Sequence, residues 1–450
     1  MATLTAKHRP YPVYKPSGVE WLGEIPAHWE VKRLKYLATV NDETLPESTD
    51  PNTEITYVDI GNVDSVKGIT GTEDLIFENA PSRARRIVRQ GDVIISTVRT
   101  YLKAIARIES TNTDLIVSTG FAVIRPLQLD DGFIGYALGS PYFVESVVAH
   151  SVGVSYPAIN ASELSCLDIA FPPPAEQRAI ATFLDRETAK IDALVSKKER
   201  LTELLEEKRT ALISHTVTKG LDPNAPMKDS DIEWLGEIPM HWEVRRLKHL
   251  TEKIGSGKTP KGGAERYVDD GVMFLRSQNV HFGGLQLADV AHIDTITDTE
   301  MSGSRVREGD VLLNITGASL GRSCVARLEG ADANVNQNVC ILRTVQRQND
   351  PDFLAYSIES TSLQDQIFNN ENGVSRDALN FEQIGELVFS RPAIVEQKSI
   401  AAFLDRETTN LDNLIAKVHE AIKLLQELRA TLISAAVTGK IDVREETKCT

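Results

Sequence analysis

The sequence predicts an α+β fold in which two tandem α/β domains are separated by two long helices that pair as an antiparallel coiled coil. Three observations predict this fold. A short segment near the N-terminus is repeated in the second half, a longer segment with helical periodicity is repeated after it, and short Val/Ile-rich runs fill the two bodies between the repeats. Because antiparallel pairing of the repeated helices would make the halves equivalent, we expect them to be related by a pseudo-twofold internal repeat.

The composition is typical of a soluble globular protein with more than one domain. At 450 residues the chain is too long for a single hydrophobic core, and 41% of its residues are hydrophobic and 25% charged. No apolar run approaches the length of a membrane span, and the N-terminus has no signal-peptide core, so we expect a cytoplasmic protein. The four cysteines form no CxxC pair, so neither a disulfide framework nor a metal site is predicted.

The first repeat is an entry segment that precedes each body. EWLGEIPAHWEVKRLKYL (20–37) returns as EWLGEIPMHWEVRRLKHL (233–250), and with one more residue before each copy 15 of 19 positions are identical. The repeat contains all four tryptophans of the chain, Trp21, Trp29, Trp234 and Trp242. Large aromatic side chains are good anchors. We therefore expect each segment either to complete the core of its own body or to seat that body against a helix or a partner.

The second repeat is predicted to form a long helix after each body. Residues 176–222 and 396–442 are identical at 23 of 47 positions, and apolar residues recur at heptad a and d positions over five heptads. The seam residues selected in this way are Leu184, Ile191, Leu194, Leu201, Leu205, Leu212, Leu404, Leu411, Leu414, Val418, Leu425, Leu428 and Leu432. We expect the two seams to pair in antiparallel. The alternative is that each helix packs only on its own domain.

The bodies between the repeats diverge in sequence but keep common landmarks. RQGDVIIS (89–96) corresponds to REGDVLLN (307–314), and GVSYPAIN (153–160) corresponds to GVSRDALN (373–380). Short runs such as DVIIS, GFAVIRP and NVCILR indicate strands, and FIGYALGSPYFVESVVAH and FLAYSIESTSLQDQIF indicate helices. Each body is therefore predicted to be an α+β domain with a predominantly antiparallel or mixed sheet.

The sequence carries no recognisable catalytic signature. The GSGKT stretch in IGSGKTPKGG (254–263) is not a P-loop, because Glu252 stands where that motif needs glycine and Pro260 prevents the following helix. The Asn/Asp-Pro-Pro-Tyr/Phe tetrapeptide of amino-methyl transfer is missing, as are HExxH, GxSxG and a GxGxxG that opens a helix. These observations favour a binding protein that holds no cofactor or metal of its own.

Basic and amide side chains cluster in both bodies and are candidates for nucleic-acid contacts. Arg, Asn and Gln can read base edges, and Arg or Lys can anchor phosphates. The candidates are Arg83, Arg85, Arg86, Arg99, Tyr101 and Lys103 in the first body and Lys258, Lys261, Arg276, Ser277, Asn279, Arg322, Asn336, Gln337 and Asn338 in the second. For any one cluster the alternative is a solvated surface. The net charge of −15 also argues against DNA binding by the average surface.

The sequence resembles the specificity (S) subunit of type I restriction–modification systems. The resemblance is carried by the two copies of the predicted long helix, the entry segment, the GSGKTP loop and GDVLLNITGASLGR. The resemblance covers residues 15–443 and repeats its order twice. It implies that each body is a target recognition domain reading one half of a bipartite, asymmetric DNA site. The implied divisions are 1–175 (first domain with its entry segment), 176–220 (first spacer helix), 221–395 (linker and second domain), 396–443 (second spacer helix) and 444–450 (tail).

The resemblance also implies a set of partners. Two modification subunits would dock on the helices and supply S-adenosylmethionine and adenine-N6 methyl transfer, and a restriction subunit would use ATP and Mg²⁺ to translocate and cut double-stranded DNA. This chain itself would be non-catalytic and would bind DNA weakly when isolated. One alternative is a single-chain DNA methyltransferase or nuclease with its own active site, and another is a duplicated coiled-coil scaffold without a DNA function.

Overall fold

The computed structural model describes residues 8–153, 156–345, 347–368 and 378–445. The chain divides into two compact units, one formed by 1–199 with 420–450 and the other by 200–419. Each unit therefore contains one body together with part of each long helix. Within the described residues, no helix is both long and apolar enough to span a bilayer.

The first unit begins with a body of short strands, because its Val/Ile-rich runs are separated by turn residues. The strands are β1 (Tyr14–Pro16), β2 (Glu24–Pro26), β3 (Glu30–Arg33), β4 (Ala38–Val40), β5 (Glu54–Val58), β6 (Val63–Asp64), β7 (Gly68–Ile69), β8 (Glu73–Ile76), β9 (Ala84–Ile87), β10 (Val93–Ser96), β11 (Ile105–Arg107), β12 (Leu115–Ser118), β13 (Phe121–Pro126) and β14 (Asp168–Phe171). The helices are α1 (Asp131–Gly139), α2 (Pro141–Ala149), α3 (Ala161–Leu164) and the long α4 (Pro174–Lys219).

Two four-stranded sheets form this body. The sheet β11-β10-β13-β4 is antiparallel throughout, whereas β8-β5-β12-β9 is mixed because β5 and β12 run parallel. Three two-stranded ladders, β1-β2, β3-β14 and β6-β7, complete the unit. The predicted combination of antiparallel and mixed sheet is thereby confirmed.

The second unit repeats this architecture. Its strands are β15 (Met227–Asp229), β16 (Glu237–Pro239), β17 (Glu243–Arg246), β18 (Thr251–Ser256), β19 (Tyr267–Val268), β20 (Val272–Leu275), β21 (Val280–His281), β22 (Gly284–Leu285), β23 (Ala291–Ile293), β24 (Arg305–Val306), β25 (Val311–Asn314), β26 (Ser323–Val325), β27 (Ala333–Val335), β28 (Val339–Thr344) and β29 (Val388–Arg391). Its helices are α5 (Thr295–Glu300), α6 (Pro351–Glu359), α7 (Thr361–Phe368), α8 (Phe381–Glu386) and the long α9 (Ile394–Val437).

The sheets of the second unit follow the plan of those of the first, with β19 as one additional edge strand. The order β18-β28-β25-β26 is antiparallel, and β19-β23-β20-β27-β24 is mixed because β20 and β27 run parallel. The ladders β15-β16 and β17-β29 occupy the places of β1-β2 and β3-β14. The internal repeat that the sequence predicts is therefore a repeat of topology.

Each run that predicts a helix within a body forms two helices separated by a buried serine. Ser140 lies between α1 and α2 and donates its hydroxyl to the Ala137 carbonyl at 2.6 Å. Ser360 lies between α6 and α7 and donates in the same way to Ser357 at 2.6 Å. Because the serine hydroxyl satisfies a carbonyl at the end of the first helix, the chain can turn there without leaving that carbonyl unpaired.

The long helices pack against each other within each unit, and their predicted a positions are largely buried or half-buried. These residues are Leu184, Ile191, Leu425 and Leu432 in the first unit and Leu205, Leu212, Leu404, Leu411 and Val418 in the second. Arg429 of α9 bonds to Asp192 of α4 in the first unit, and Arg209 of α4 bonds to Asp412 of α9 in the second. Since these contacts run in opposite order along the two helices, the helices are antiparallel, as the sequence predicts.

The predicted d positions are wrong for four leucines. Leu194, Leu201, Leu414 and Leu428 are 48%, 40%, 43% and 42% exposed. The second stripe of buried or half-buried residues instead lies four residues after each a position. It consists of Thr188, Val195, Thr202, Arg209 and Thr216 in α4 and of Thr408, Ile415, Ile422, Arg429 and Ala436 in α9.

Threonine can occupy this stripe because its hydroxyl is satisfied inside its own helix. Thr188 donates to the Leu184 carbonyl at 2.7 Å, and Thr408 donates to the Leu404 carbonyl at 2.7 Å. The methyl group of the same side chain is then free to pack in the seam. A sequence pattern that counts threonine as polar therefore selects the leucine three residues after each a position, whereas the residue that packs in the seam is four residues after it.

Candidate nucleic-acid interface

The candidate DNA contacts of the second body lie mainly in loops that converge at one edge of its sheets. The parallel strands β20 and β27 end at the same edge. Asn314, the last residue of β25, is buried and donates from Nδ2 to the Ser277 carbonyl at 2.8 Å, just after β20. Its backbone N–H donates to the Arg322 carbonyl at 2.8 Å. The structure thus brings the Ser277 and Arg322 loops together through Asn314.

A second part of this edge joins the 257–259 loop to the 336–338 loop. The Gly257 N–H donates to the Asn336 carbonyl at 3.1 Å, and the Thr259 hydroxyl donates to Gln337 Oε1 at 2.5 Å. A Cβ on Gly257 would lie 1.6 Å from the Val335 carbonyl oxygen, so only glycine permits this approach. The GSGKT stretch therefore consists of the last two residues of β18 and a loop fitted to the end of β27, as its failure to match a P-loop indicates.

The other candidates of the 254–263 and 336–338 loops surround this contact. Lys258 donates from Nζ to the Glu300 carbonyl at 3.1 Å, and Lys261 is exposed. The Asn338 N–H donates to Asn336 Oδ1 at 3.0 Å, which fixes the short turn between β27 and β28. Gln337 is left as the exposed side chain at the tip of that turn.

Two candidates of the second body are used inside their own loop. Asn279 is buried, donates from Nδ2 to the Gln286 carbonyl at 2.8 Å and accepts the Arg276 N–H at 3.0 Å. Arg276 donates from Nη2 to the Asp289 carbonyl at 2.8 Å. The amide of Asn279 therefore shapes the turn after β20, and the structure does not present it to a ligand.

The three arginines of the 83–86 run make contacts within the first body. Arg83 donates from Nη2 to Asp59 Oδ2 at 2.8 Å. The Arg85 guanidinium lies 4.5 Å from the centroid of the Phe77 ring. Arg86 is half-buried in β9, and burial lowers its pKa. The run therefore serves packing and internal charge pairing, and a nucleic-acid role for it stays a prediction.

The remaining candidates of the first body lie at the exposed tip of the loop between β10 and β11. Arg99, Tyr101 and Lys103 are exposed, and the Arg99 guanidinium lies 5.3 Å from the centroid of the Tyr156 ring. The Thr100 hydroxyl, by contrast, is buried and donates to Ser151 Oγ at 2.8 Å. Thr100 thus anchors the tip while the neighbouring basic and aromatic side chains face solvent.

An ion pair with a buried aspartate recurs at the start of β10 and of β25, at the end of each strand opposite the loop that follows it, and it was not selected from the sequence. Arg125 of β13 donates to both carboxylate oxygens of Asp92 at 3.0 and 2.9 Å, and Arg343 of β28 donates to both oxygens of Asp310 at 2.7 Å. The hydrogen bonds that each arginine donates to its aspartate raise the pKa of that arginine. The repeated Gly-Asp-Val in RQGDV and REGDV was the available signal.

The entry segments complete the core of each unit through one tryptophan. Trp29 is buried and donates from Nε1 to Glu176 Oε2 at 2.9 Å in the first turn of α4. Trp242 is buried and donates to Glu396 Oε1 at 3.1 Å in the first turn of α9. Trp21 and Trp234 are exposed. The core-forming alternative therefore holds for Trp29 and Trp242, whereas the other two tryptophans remain open to a partner.

Each entry segment also contacts the C-terminal end of the other long helix in its unit, which is α9 in the first unit and α4 in the second. In the first unit Lys440, just after α9, donates from Nζ to the Glu24 carbonyl at 2.6 Å, and the hydroxyl of Tyr14, in β1 just before the segment, donates to the Gly439 carbonyl at 3.0 Å. In the second unit Lys219, at the end of α4, donates to the Glu237 carbonyl. One copy of the segment thus ties the start of one helix to the end of the other in each unit, which explains why the chain carries it twice.

Metal chemistry has no candidate site in the described part of the chain. Over those ranges no group of three or more His, Cys, Asp or Glu side chains lies close enough together to hold a metal ion. The repeated histidines of the entry segments contact carboxylates instead: His28 Nε2 lies 2.7 Å from Glu176 Oε1, and His241 Nε2 lies 3.0 Å from Glu396 Oε2.

Comparison with known families gives one description for both halves. The model of the type I restriction modification DNA specificity domain matches residues 26–203 and 239–424. The chain is 23% identical to the type I restriction enzyme EcoBI specificity subunit of Escherichia coli over 307 residues, which is 67% of this chain and 64% of that protein. It is 23% identical to the MjaVIII specificity subunit of Methanocaldococcus jannaschii over 433 residues, 93% of this chain and 94% of that protein.

Solved structures show the same fold. A chain of a type I R-M system, solved in work on complex assembly and conformational transition, superposes with a TM-score of 0.73 at 22% identity, covering 93% of this chain and 99% of that one. The HsdS subunit from Thermoanaerobacter tengcongensis superposes with a TM-score of 0.51 at 23% identity, covering 93% and 98%. The predicted two-domain fold with two long helices is thereby confirmed.

Proposed function

This chain belongs to the type I restriction–modification DNA specificity family, as a specificity subunit, and from that premise we propose that each of its units reads one half of a bipartite, asymmetric DNA site. One observation carries the proposal. The two units share strand order and loop geometry, yet the loop between β10 and β11 presents Arg99 and Lys103 where the loop between β25 and β26 has Gly317 and Gly321. Equal scaffolds with unequal tips suit two unlike half-sites.

We further propose that α4 and α9 set the spacing between the half-sites and dock two modification subunits. Two ion pairs at equivalent positions, Asp192–Arg429 and Arg209–Asp412, support a fixed register between the helices. The exposed leucines at the d positions form the proposed docking strip of each unit. They are Leu194 and Leu428 in the first unit and Leu201 and Leu414 in the second. Because the strips, like the exposed tryptophans Trp21 and Trp234, occur once in each unit, they fit two copies of one partner.

In this proposal the chain supplies recognition and its partners supply the chemistry. Double-stranded DNA is the ligand, S-adenosylmethionine belongs to the modification subunits, and ATP and Mg²⁺ belong to the restriction subunits. The functional divisions are 1–175 and 221–395 for the two recognition domains, 176–220 and 396–443 for the spacer helices, and 444–450 for a tail. The partners would also contribute the positive charge that a chain with a net charge of −15 lacks.

Methylation mapping tests the proposal directly. The chain and its cognate modification subunit are produced together in a host without other adenine-N6 methylation, and methylated sites are read by sequencing. We expect one motif with two unlike halves and a gap of fixed length. The chain alone and the modification subunit alone serve as controls and should leave the genome unmethylated. Methylation by the chain alone would support the single-chain enzyme, and a continuous motif would refute the bipartite reader.

The spacing role is tested by shortening both helices together. Deletion of 197–203 together with 418–424 removes one heptad from each helix and leaves the flanking pairs Asp192–Arg429 and Arg209–Asp412 in register. Seven residues correspond to about 10.5 Å of helix, so the gap should shorten by about three base pairs. Deletion of 197–203 alone breaks the register and should abolish methylation. A double deletion that keeps the original gap would show that the helices do not set the spacing.

A further inference from the structure

The loops between β10 and β11 and between β25 and β26 have the same backbone path. In the first, the Ser96 N–H donates to the Ala104 carbonyl at 2.9 Å and the Ile159 N–H to Thr97 at 2.9 Å. In the second, the Asn314 N–H donates to the Arg322 carbonyl at 2.8 Å and the Leu379 N–H to Ile315 at 2.9 Å. Residues 97–104 therefore correspond one by one to 315–322.

Both loops place the backbone in the left-handed region at the same two positions. The second loop meets this requirement with Gly317 at φ 72° and Gly321 at φ 83°. The first loop has Arg99 at φ 52° and Lys103 at φ 52°. Glycine adopts this conformation freely, whereas a residue with a Cβ is strained in it. The first unit thus tolerates at two positions a strain that glycine in the second unit avoids.

Contacts within the fold do not explain these two residues. Both side chains are exposed, and the Arg99 guanidinium lies 5.3 Å from the Tyr156 ring. Among the described residues, neither Arg99 nor Lys103 forms an ion pair with a carboxylate. They flank Tyr101 and Leu102, which are 52% and 47% exposed. The side chains that cause the strain therefore point away from the protein core.

Other arginines of the same body are neutralised internally. Arg89 pairs with Glu43 at 2.5 Å, Arg107 pairs with Asp131 at 3.0 Å, and Arg125 pairs with Asp92 at 2.9 Å. These arginines attract an anionic ligand only weakly, because the carboxylate within contact distance of each one offsets its charge. In a chain of net charge −15, the attraction for an anion at this edge must come from cations without such partners.

We propose that Arg99 and Lys103 anchor the DNA backbone in the first half-site, each on a phosphate, on either side of the exposed Tyr101–Leu102 tip. The strained backbone is retained because glycine at either position would remove a phosphate contact. The inference rests on the proposed function, since it assigns a DNA role to a loop of a recognition domain. The second half-site lacks this pair of anchors, because Gly317 and Gly321 occupy the same positions.

The test uses the complex of the full chain with its modification subunits and a duplex that carries the bipartite site. Arg99→Gly and Lys103→Gly relieve the strain and remove the charges. The double variant should bind the duplex roughly tenfold more weakly, and the slope of log K against log salt should fall by about two. The ratio of affinities for matched and mismatched sites should be unchanged, because phosphates carry no sequence information. The melting temperature of the double variant should be no lower than that of the parent.

Two controls separate charge from strain. Glu329→Gly relieves the same left-handed conformation, φ 52°, at an exposed position of the second unit, and it should leave DNA binding and the salt slope unchanged. Arg99→Gln with Lys103→Gln keeps the strain and removes the charge, and it should lose the same affinity as the glycine pair. A glycine pair that binds with the parent's affinity and slope overturns the inference, as does one that melts at a lower temperature. If the parent complex itself fails to bind the duplex, the proposed function fails instead.

Discussion

Arg209 of α4 contacts two carboxylates in the second unit, Glu359 at the end of α6 and Asp412 of α9. Glu359 is largely buried, with a side-chain exposure of 10%, and burial raises its pKa even though Arg209 opposes the shift. The corresponding Arg429 in the first unit contacts Asp192, whose side chain is 43% exposed. Equivalent arginines in the two repeats therefore hold carboxylates of very different burial.

We expect Arg209→Ala to destabilise the chain much more than Arg429→Ala. Removal of Arg209 leaves Glu359 buried without its partner, which costs about 3–5 kcal/mol. Removal of Arg429 leaves an exposed aspartate that water can solvate, which costs about 1 kcal/mol or less. Equilibrium urea unfolding of the two variants, followed by circular dichroism, measures the difference. Equal losses would show that burial of Glu359 does not control the energetics.

The same pair predicts a dependence on pH. A carboxyl whose pKa is raised in the folded state contributes stability that is present at low pH and lost as the pH rises through its folded pKa. Without Arg209 the pKa of Glu359 rises further, so the deficit of Arg209→Ala should shrink as the pH falls from 7 toward 5. Arg209→Met combined with Glu359→Met is the control, because it buries no charge and should recover most of the stability at pH 7.

Glu176→Ala should be more damaging than Glu396→Ala. Glu176 is buried and accepts from the Trp29 indole at 2.9 Å and from the Tyr11 hydroxyl at 3.1 Å, whereas Glu396 is less buried and accepts from Trp242 at 3.1 Å. Two buried donors left unpaired cost about 2–5 kcal/mol, and the single buried donor Trp242 costs about 1–3 kcal/mol. Thermal unfolding with tryptophan fluorescence measures both. A larger loss in Glu396→Ala would contradict this ranking.

Much of the architecture could be predicted because each element has a local signal. Runs such as DVIIS became β10, and the a positions such as Leu184 and Leu404 entered the cores. The d positions failed because the sequence does not show that Thr188 satisfies its own hydroxyl and packs in the seam. The internal use of Asn279 depends on a partner carbonyl in a neighbouring loop, which residue type cannot reveal.

The candidate interface was predicted from residue chemistry, and a DNA role for its basic and amide residues stays a prediction. Residue type did not indicate which of them pair internally: Arg83, for example, is held by Asp59, 24 positions away in the sequence. The pair Arg429 and Asp192 is separated by 237 positions and could be found only from the register of the helices. The sequence of the first loop alone does not reveal the strained backbone at Arg99. It becomes visible when Gly317 is seen to adopt the same conformation in the other.

The corrected seam predicts very different losses of stability for two residues of α4 that are three positions apart. Ile191→Ala should cost about 2–4 kcal/mol, because Ile191 is buried in the core of the first unit. Leu194→Ala should change the stability by about 0.5 kcal/mol, because Leu194 is exposed. Urea unfolding compares the two variants. Comparable losses of stability would show that Leu194, at a d position, packs in the seam after all.

Leu194 and Leu414 also test the proposed docking strips. Leu194→Glu and Leu414→Glu should each leave the isolated chain as stable as the parent and reduce the number of bound modification subunits from two to one. The double variant should bind none. Native mass spectrometry of the assembled complex counts the subunits. Two bound subunits in the double variant would place the docking surface elsewhere.

The cysteines give a prediction for reactivity and for alkaline stability. Cys324 in β26 and Cys340 in β28 are buried, and burial raises the pKa of each thiol to about 12, whereas Cys166 is exposed. Since only the thiolate reacts, a maleimide at pH 8 should label Cys166 and spare the two buried cysteines until the chain is unfolded. Cys449→Ser is used as the background, because Cys449 lies outside the described residues.

The sign of the pH effect follows from the raised pKa values. Unfolded thiols ionise near pH 9 while the folded ones stay protonated up to about 12, so the stability they contribute is present below 9 and is lost between 9 and 12. The urea midpoint should therefore fall more between pH 8 and pH 10 in the parent than in a variant with Cys324→Ala and Cys340→Ala. Labelling of Cys324 or Cys340 in the native chain as fast as Cys166, or equal falls in the two midpoints, would show that these thiols are not shielded by the sheet.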